Sequence, residues 1–153
     1  MDDKFRVLID DLPKKYEELI SMRPLTVDTV PSDCPTGGIY LFTENGVHLY
    51  AGRTKRRIKE RLKYHVGTAD DCPFAWHLAR KETGKTEASY KTEGSRRHLL
   101  TQPHFRQAYQ RAKERIRQME VRYVGESDPL KQTLLEIYVA VVSEAKFNDF
   151  DTH

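Results

Sequence analysis

Cysteine is scarce in this chain of 153 residues: there are two, Cys34 and Cys72, and they stand in no metal-ligand spacing. A structural zinc site needs further Cys or His pairs at short intervals, and none is present. Both thiols are expected to be ordinary small apolar residues in a reducing, cytoplasmic setting. No run of 18 apolar residues occurs, so no spanning helix and no membrane partner are expected. The opening residues, Met1-Asp2-Asp3-Lys4, are acidic and lack the apolar core of a signal peptide. Internal repeats and low-complexity tracts are absent as well.

What is present is charge, and it is segregated. Charged residues make up 32% and apolar residues 38%, with Leu, Ile, Val, Phe and Tyr spread throughout, which is the composition of a folded chain. The net charge is only +3, but Arg53–Val66 carries +6 and Lys91–Arg122 another +6, whereas the first 22 residues sum to −2 and Glu126 onward to −4. Such a distribution can present a basic surface to a polyanion; two solvated helical faces would show the same charges.

The apolar pattern divides the chain into elements. Residues 4–21 have helical spacing, and Asp11 and Pro13, as cap and first-turn residue, divide them into two short helices. Pro24, Pro31 and Pro35 mark an extended connector. Gly38–Thr43 and Val47–Ala51 read as strands, and Asn45-Gly46 between them is the signal of a tight hairpin, because a type I′ turn needs positive φ at both central residues. Gly52 is expected to end the hairpin, with Thr54 capping a helix over Arg56–Val66 that turns Ile58, Leu62 and Val66 inward. Helices follow over Phe74–Lys81 and Pro103–Arg117, separated by a polar loop at Glu82–Gly94. Met119–Val124 reads as a third strand. Leu130–Ala145, with Leu134, Leu135, Ile137, Val139, Val141 and Val142, reads as the central packing helix. The sum is an α+β domain: a small three-stranded antiparallel sheet, hairpin plus third strand, flanked by helices.

Spacing also brings chemistry together. Tyr40 and Tyr50 lie on the two hairpin strands and can emerge on one face. Arg61 and His65 are four apart on the next helix and share a side of it. Taken alone, this pattern is served as well by two core tyrosines, a surface arginine and a half-buried histidine.

Motif order adds to it. Gly38-Ile39-Tyr40, followed ten residues later by Tyr50-Ala51-Gly52, resembles the pair of motifs that name the GIY-YIG nuclease family, with alanine in place of the usual isoleucine of the second. Arg61-x-x-x-His65, Glu136 within Leu134-Leu135-Glu136, and Phe147-Asn148 resemble the family's first-helix, metal-binding and aromatic-asparagine signatures. The resemblance covers Gly37 to Asp149. It implies a nuclease domain over residues 37–150 with an insertion at about 67–102, preceded by an N-terminal helical extension and connector over 1–36.

What the resemblance implies is a metal-dependent endonuclease acting on DNA, with a restriction or defence role. Its catalytic set is Tyr40, Tyr50, Arg61, His65 and Glu136. Glu136 would hold Mg²⁺ or Mn²⁺, since Mg²⁺ keeps several waters and needs few protein carboxylates; no small-molecule cofactor is expected. Arg61 would fork onto the scissile phosphate. Tyr40 would take the proton of the attacking water, with Tyr50 and His65 assisting; His65, whose reference pKa is about 6.5, is the physically easier base. Gly38, Gly52 and Asn148 would support the site, and Arg53, Lys55, Arg56, Arg57 and Tyr64 would line the phosphate path. The helix from Pro103 is a second basic surface. Trp76 beside Phe74 is expected in the core rather than stacked on a base. A twofold dimer is expected if the target is palindromic. The alternative is a nucleic-acid-binding module on the same fold without catalysis.

Overall fold

The computed structural model describes residues 1–84 and 95–150. They form two compact units: Met1–Lys63 with Met119–Asn148, and Tyr64–Gln118 with the residues from Asp149.

The first unit is built on the hairpin. Strands β1 (Thr36–Glu44) and β2 (Val47–Arg57) pair antiparallel around Asn45 and Gly46, whose φ angles of 52° and 78° are the positive pair that the turn requires. Strand β3 (Glu120–Gly125) pairs antiparallel on the other side of β1, so the order is β2-β1-β3. The fold is α+β, a three-stranded antiparallel sheet flanked by helices. β1 is central, and its residues from Gly37 to Thr43 are all buried.

One face of the sheet presents Ile39, Leu41, Ala51 and Val124. They form a core with Leu12 and Leu19 of α2 (Leu12–Ser21) and Leu135, Val139 and Ala140 of α7 (Pro129–Val142). Burial of side chains of this size contributes roughly 1.5–3 kcal/mol each for the branched aliphatics. The N-terminal helices are α1 (Asp3–Ile9) and α2. Pro13 sits in the first turn of α2 as expected, but Asp11 makes no side-chain cap bond. Instead Lys15 Nζ donates to Gly125 O at 2.7 Å and Tyr16 meets Tyr138 edge-on at 5.8 Å, which ties α2 to β3 and α7.

Two expectations are corrected here. Gly52 does not end the hairpin. β2 runs on to Arg57 because β1 begins at Thr36 and supplies partners throughout, Gly38 facing Thr54 and Thr36 facing Arg57. Helix α3 (Ile58–Val66) then starts without a loop, and Thr54 is a strand residue rather than its cap. Its first N–H groups are met by the connector: Ile58 N donates to Pro35 O at 3.0 Å and Lys59 N to Cys34 Sγ at 3.3 Å. The last helix packs on the sheet as expected, through one side. It stops at Val142, and Val141 is 62% exposed, with Ile137 and Val142 exposed beside it. One stripe faces the sheet, and the apolar residues on the other side do not pack within the described residues.

The second unit is helical. It holds α4 (Pro73–Thr83), α5 (Arg96–Thr101) and α6 (Pro103–Gln118). Trp76 is buried there, its ring 5.1 Å from that of Phe105 and 5.2 Å from that of Tyr109, so it is a core residue. Lys113 is also buried, its ammonium on the carbonyls of Gly67 and Ala69. α5 was not expected from the sequence. Of the loop expected at Glu82–Gly94, Glu82 and Thr83 close α4 and Gly84 follows at φ 78°; residues 85–94 lie outside the described residues.

A Cβ placed on Gly52 would collide with the ring and hydroxyl of Tyr40. Gly52→Ala should therefore cost about 1–3 kcal/mol as an overpacked site, measured by urea denaturation. The double variant with Tyr40→Leu should lose less than the sum of the two single changes. Additive losses would mean that the phenol does not lie over residue 52.

Candidate active site

Tyr40 and Tyr50 reach one face of the hairpin through the strand register. Phe42 faces Tyr50 and Tyr40 faces Gly52, so these four share a side of the sheet, opposite to Ile39, Leu41 and Ala51. Tyr40 packs edge-on against Phe42 at 5.8 Å and lies over Gly52, where the missing side chain leaves room for its ring. It is only 1% exposed. Gly38 is needed for a different reason: its φ is 157° and a Cβ would strike the carbonyl of Val124 on the neighbouring strand.

The direct passage from β2 into α3 folds the helix back over this face. Arg61, in its second turn, donates from Nε to the Tyr40 hydroxyl at 3.4 Å. Arg61 is half-buried.

Glu136 arrives from the other side, on α7, at the free edge of β2. Its carboxylate accepts the Arg53 backbone N–H, a strand donor that no neighbouring strand takes. Further along the same edge, the chain after α7 supplies the missing partners. Phe147 N donates to Leu49 O at 2.8 Å. The Asn148 side chain pairs with Ala51 in both directions, accepting its N–H at 2.8 Å and donating to its carbonyl at 2.7 Å. Asn148 thus acts as a backbone mimic that closes the edge. Its support role was expected; the strand edge it would close was not legible in the motif.

The four groups converge. Burial pushes the Tyr50 hydroxyl well above its ordinary 10.0; the Tyr40 phenol and Glu136 add to the rise, and Arg61 opposes it. In the metal-free protein these effects favour the neutral phenol of Tyr50. Burial raises the Glu136 carboxyl from 4.5, while the Arg53 charge and backbone N–H pull it down. Tyr40, Tyr50, Arg61 and Glu136 all belong to the first unit.

The other expected residues divide. His65 follows Arg61 by one turn on α3 and is fully buried, as Tyr40 is. Tyr64 is half-buried and its hydroxyl is engaged with Asp71. Arg57 is turned onto the connector, donating to Ser32 O at 3.1 Å and Cys34 O at 3.0 Å. Lys59, which the sequence reading did not single out, does the same at the carbonyls of Asp28 and Val30. Arg53, Lys55 and Arg56 are exposed. A run of cations beside a proline-rich connector was the available signal that some of them serve its carbonyls.

No group of three or more His, Cys, Asp or Glu stands together among the described residues, so protein ligands alone build no cage here. A hard cation that keeps most of its waters needs only one carboxylate, and Glu136, whose charged form burial disfavours, gains from a cation beside it.

A carboxyl whose folded pKa lies above its unfolded value stabilises the fold fully at low pH, and that contribution is lost as pH rises through the folded value. In metal-free protein, Glu136→Gln should therefore be more stable than the parent at neutral pH, with the difference vanishing below pH 4.5. Thermal melts in chelator across this range test it; a less stable variant at neutral pH would contradict the burial cost. Comparison with protein-family models, with curated proteins and with solved structures yields no match, so the chemical reading rests on these side chains and their geometry.

Proposed function

We propose that this chain is a divalent-metal-dependent endonuclease of the GIY-YIG type that hydrolyses DNA phosphodiester bonds. One observation carries the reading: two phenols from the hairpin, a guanidinium from α3 and a half-buried carboxylate from α7 meet within one unit. Hydrolysis adds water to phosphorus, breaks one P–O bond and returns a proton to the leaving oxygen. The site has a group suited to each demand. Arg61 stabilises charge developing on the phosphate oxygens. Tyr50, held protonated by burial, donates a hydrogen bond to phosphate or leaving group. Tyr40, whose oxygen accepts from Arg61, would receive the water's proton as a phenolate, the form that the neighbouring guanidinium and the metal would favour. Glu136 holds Mg²⁺ or Mn²⁺, which supplies Lewis acidity and counter-charge.

DNA is the substrate class best matched by the basic exposed residues Arg53, Lys55 and Arg56 that flank the site on β2. A restriction or defence role in the cytoplasm fits a chain that carries a second, helical unit besides the one that holds the site. A twofold dimer follows if the target is palindromic.

Plasmid incubated with Mg²⁺ or Mn²⁺ should be nicked or linearised. Arg61→Ala and Glu136→Gln should each lower the rate by about 10²-fold or more, with the far-ultraviolet circular dichroism unchanged. Protein that retards DNA on a gel yet cuts none under either metal is a binding module, and the catalytic reading then fails.

A further inference from the structure

The second unit holds a cationic cluster with one unsatisfied buried N–H. Arg80 on α4 is 6% exposed, and its Nη1 is buried with no hydrogen-bond partner. Arg96, the first residue of α5, stands close enough to disfavour the Arg80 charge, after burial itself. Both guanidinium groups lie on the Trp76 ring, Arg80 at 5.4 Å and Arg96 at 5.3 Å from its centroid. A ring face attracts a cation but does not replace an acceptor for an in-plane N–H. His77 lies three residues before Arg80 and so on the same side of α4. Burial lowers its pKa; Asp149 opposes this, and Arg80 and Arg96 add to it.

Two arginines thus lie on one ring, with His77 on the same side of α4 and the Asp149 carboxylate acting on His77 alone. Buried guanidinium N–H groups are satisfied in nearly all proteins, and like charges brought together need a counter-ion. Among the described residues none accepts from Arg80 Nη1, and a ligand could supply that acceptor. A tetrahedral oxyanion suits this arrangement: it offers several acceptor oxygens, takes a fork from each guanidinium and relieves their mutual repulsion.

We propose that Arg80, Arg96 and His77 form a binding site for a phosphate group. The site is separate from the cleavage chemistry proposed for the first unit and does not rest on it. The phosphate belongs either to a nucleic-acid backbone or to a free ion, and the two sources can be told apart.

Trp76 is the only tryptophan of the chain and lies against both arginines, so its fluorescence reports the site directly. The full chain is titrated with inorganic phosphate and, separately, with a short DNA duplex in chelator. A saturable change in Trp76 emission is expected, weakened about tenfold or more in Arg96→Gln, the loss of one charge-assisted contact. Arg96 is exposed, so this variant should fold as the parent does; Arg80→Gln provides a second test. Response to both probes assigns the site to the phosphate group itself, and response to the duplex alone assigns it to a strand backbone. The proposal is overturned by no saturable response to either probe, by an equal response to sodium chloride at matched ionic strength, or by both variants binding at parental affinity. A chain that binds phosphate here and fails to cut DNA keeps this site and loses the nuclease reading.

Discussion

The free edge of β2 determines how the first unit can work. An edge strand offers unpaired N–H and C=O groups that must be closed, and a fourth strand is the usual means. Here side chains and a short C-terminal segment close it. Asn148 pairs with Ala51, Phe147 with Leu49, and Glu136 takes the Arg53 N–H. A fourth strand along this edge would occupy the place of Asn148 and Glu136. Closing the edge with one amide and one carboxylate leaves the Glu136 charge within electrostatic range of the Tyr50 phenol.

That arrangement sets stability against function in a definite place. α7 presents Leu135, Val139 and Ala140 to the sheet, and an apolar residue at 136 would extend that packing without charge. The carboxylate instead carries a desolvation cost that the Arg53 charge and N–H reduce. Tyr40 follows the same logic: its ring is accommodated by removing all side-chain volume at residue 52, a position inside a strand where glycine otherwise weakens the pairing. Groups that oppose local stability and still hold a common geometry are the usual mark of a working site.

Much of this was legible beforehand, for identifiable reasons. Asn45-Gly46 specified the hairpin because few residue pairs tolerate two positive φ angles, and the tyrosines then followed from strand alternation. Long amphipathic runs gave α6 and α7. Gly52 misled, because a glycine that makes room for a distant ring looks in sequence like one that ends a strand. α7 packs on the sheet as its apolar residues suggested, but through one stripe, because burial depends on how much surface the sheet and α2 can cover. His65 shared a helical side with Arg61 by spacing, but spacing carries no information about enclosure, and the ring is fully buried.

Charge counting needs the same correction. The two basic segments each carry +6, but the structure spends part of that charge internally. Arg57 and Lys59 hold connector carbonyls, Lys113 holds those of Gly67 and Ala69, and Arg111 pairs with Glu82 at 3.0 Å. Each cation bound to a backbone carbonyl has already exchanged its water for a fixed partner, and leaving that partner for a phosphate returns little. The salt dependence of DNA binding counts phosphates neutralised and not arginines in the sequence. For this chain the slope should therefore follow Arg53, Lys55 and Arg56, together with the arginines that have no fixed acceptor. Among the latter, Arg80 differs from a solvated surface cation because its bare N–H is buried, and an anion that reaches it displaces no established bond.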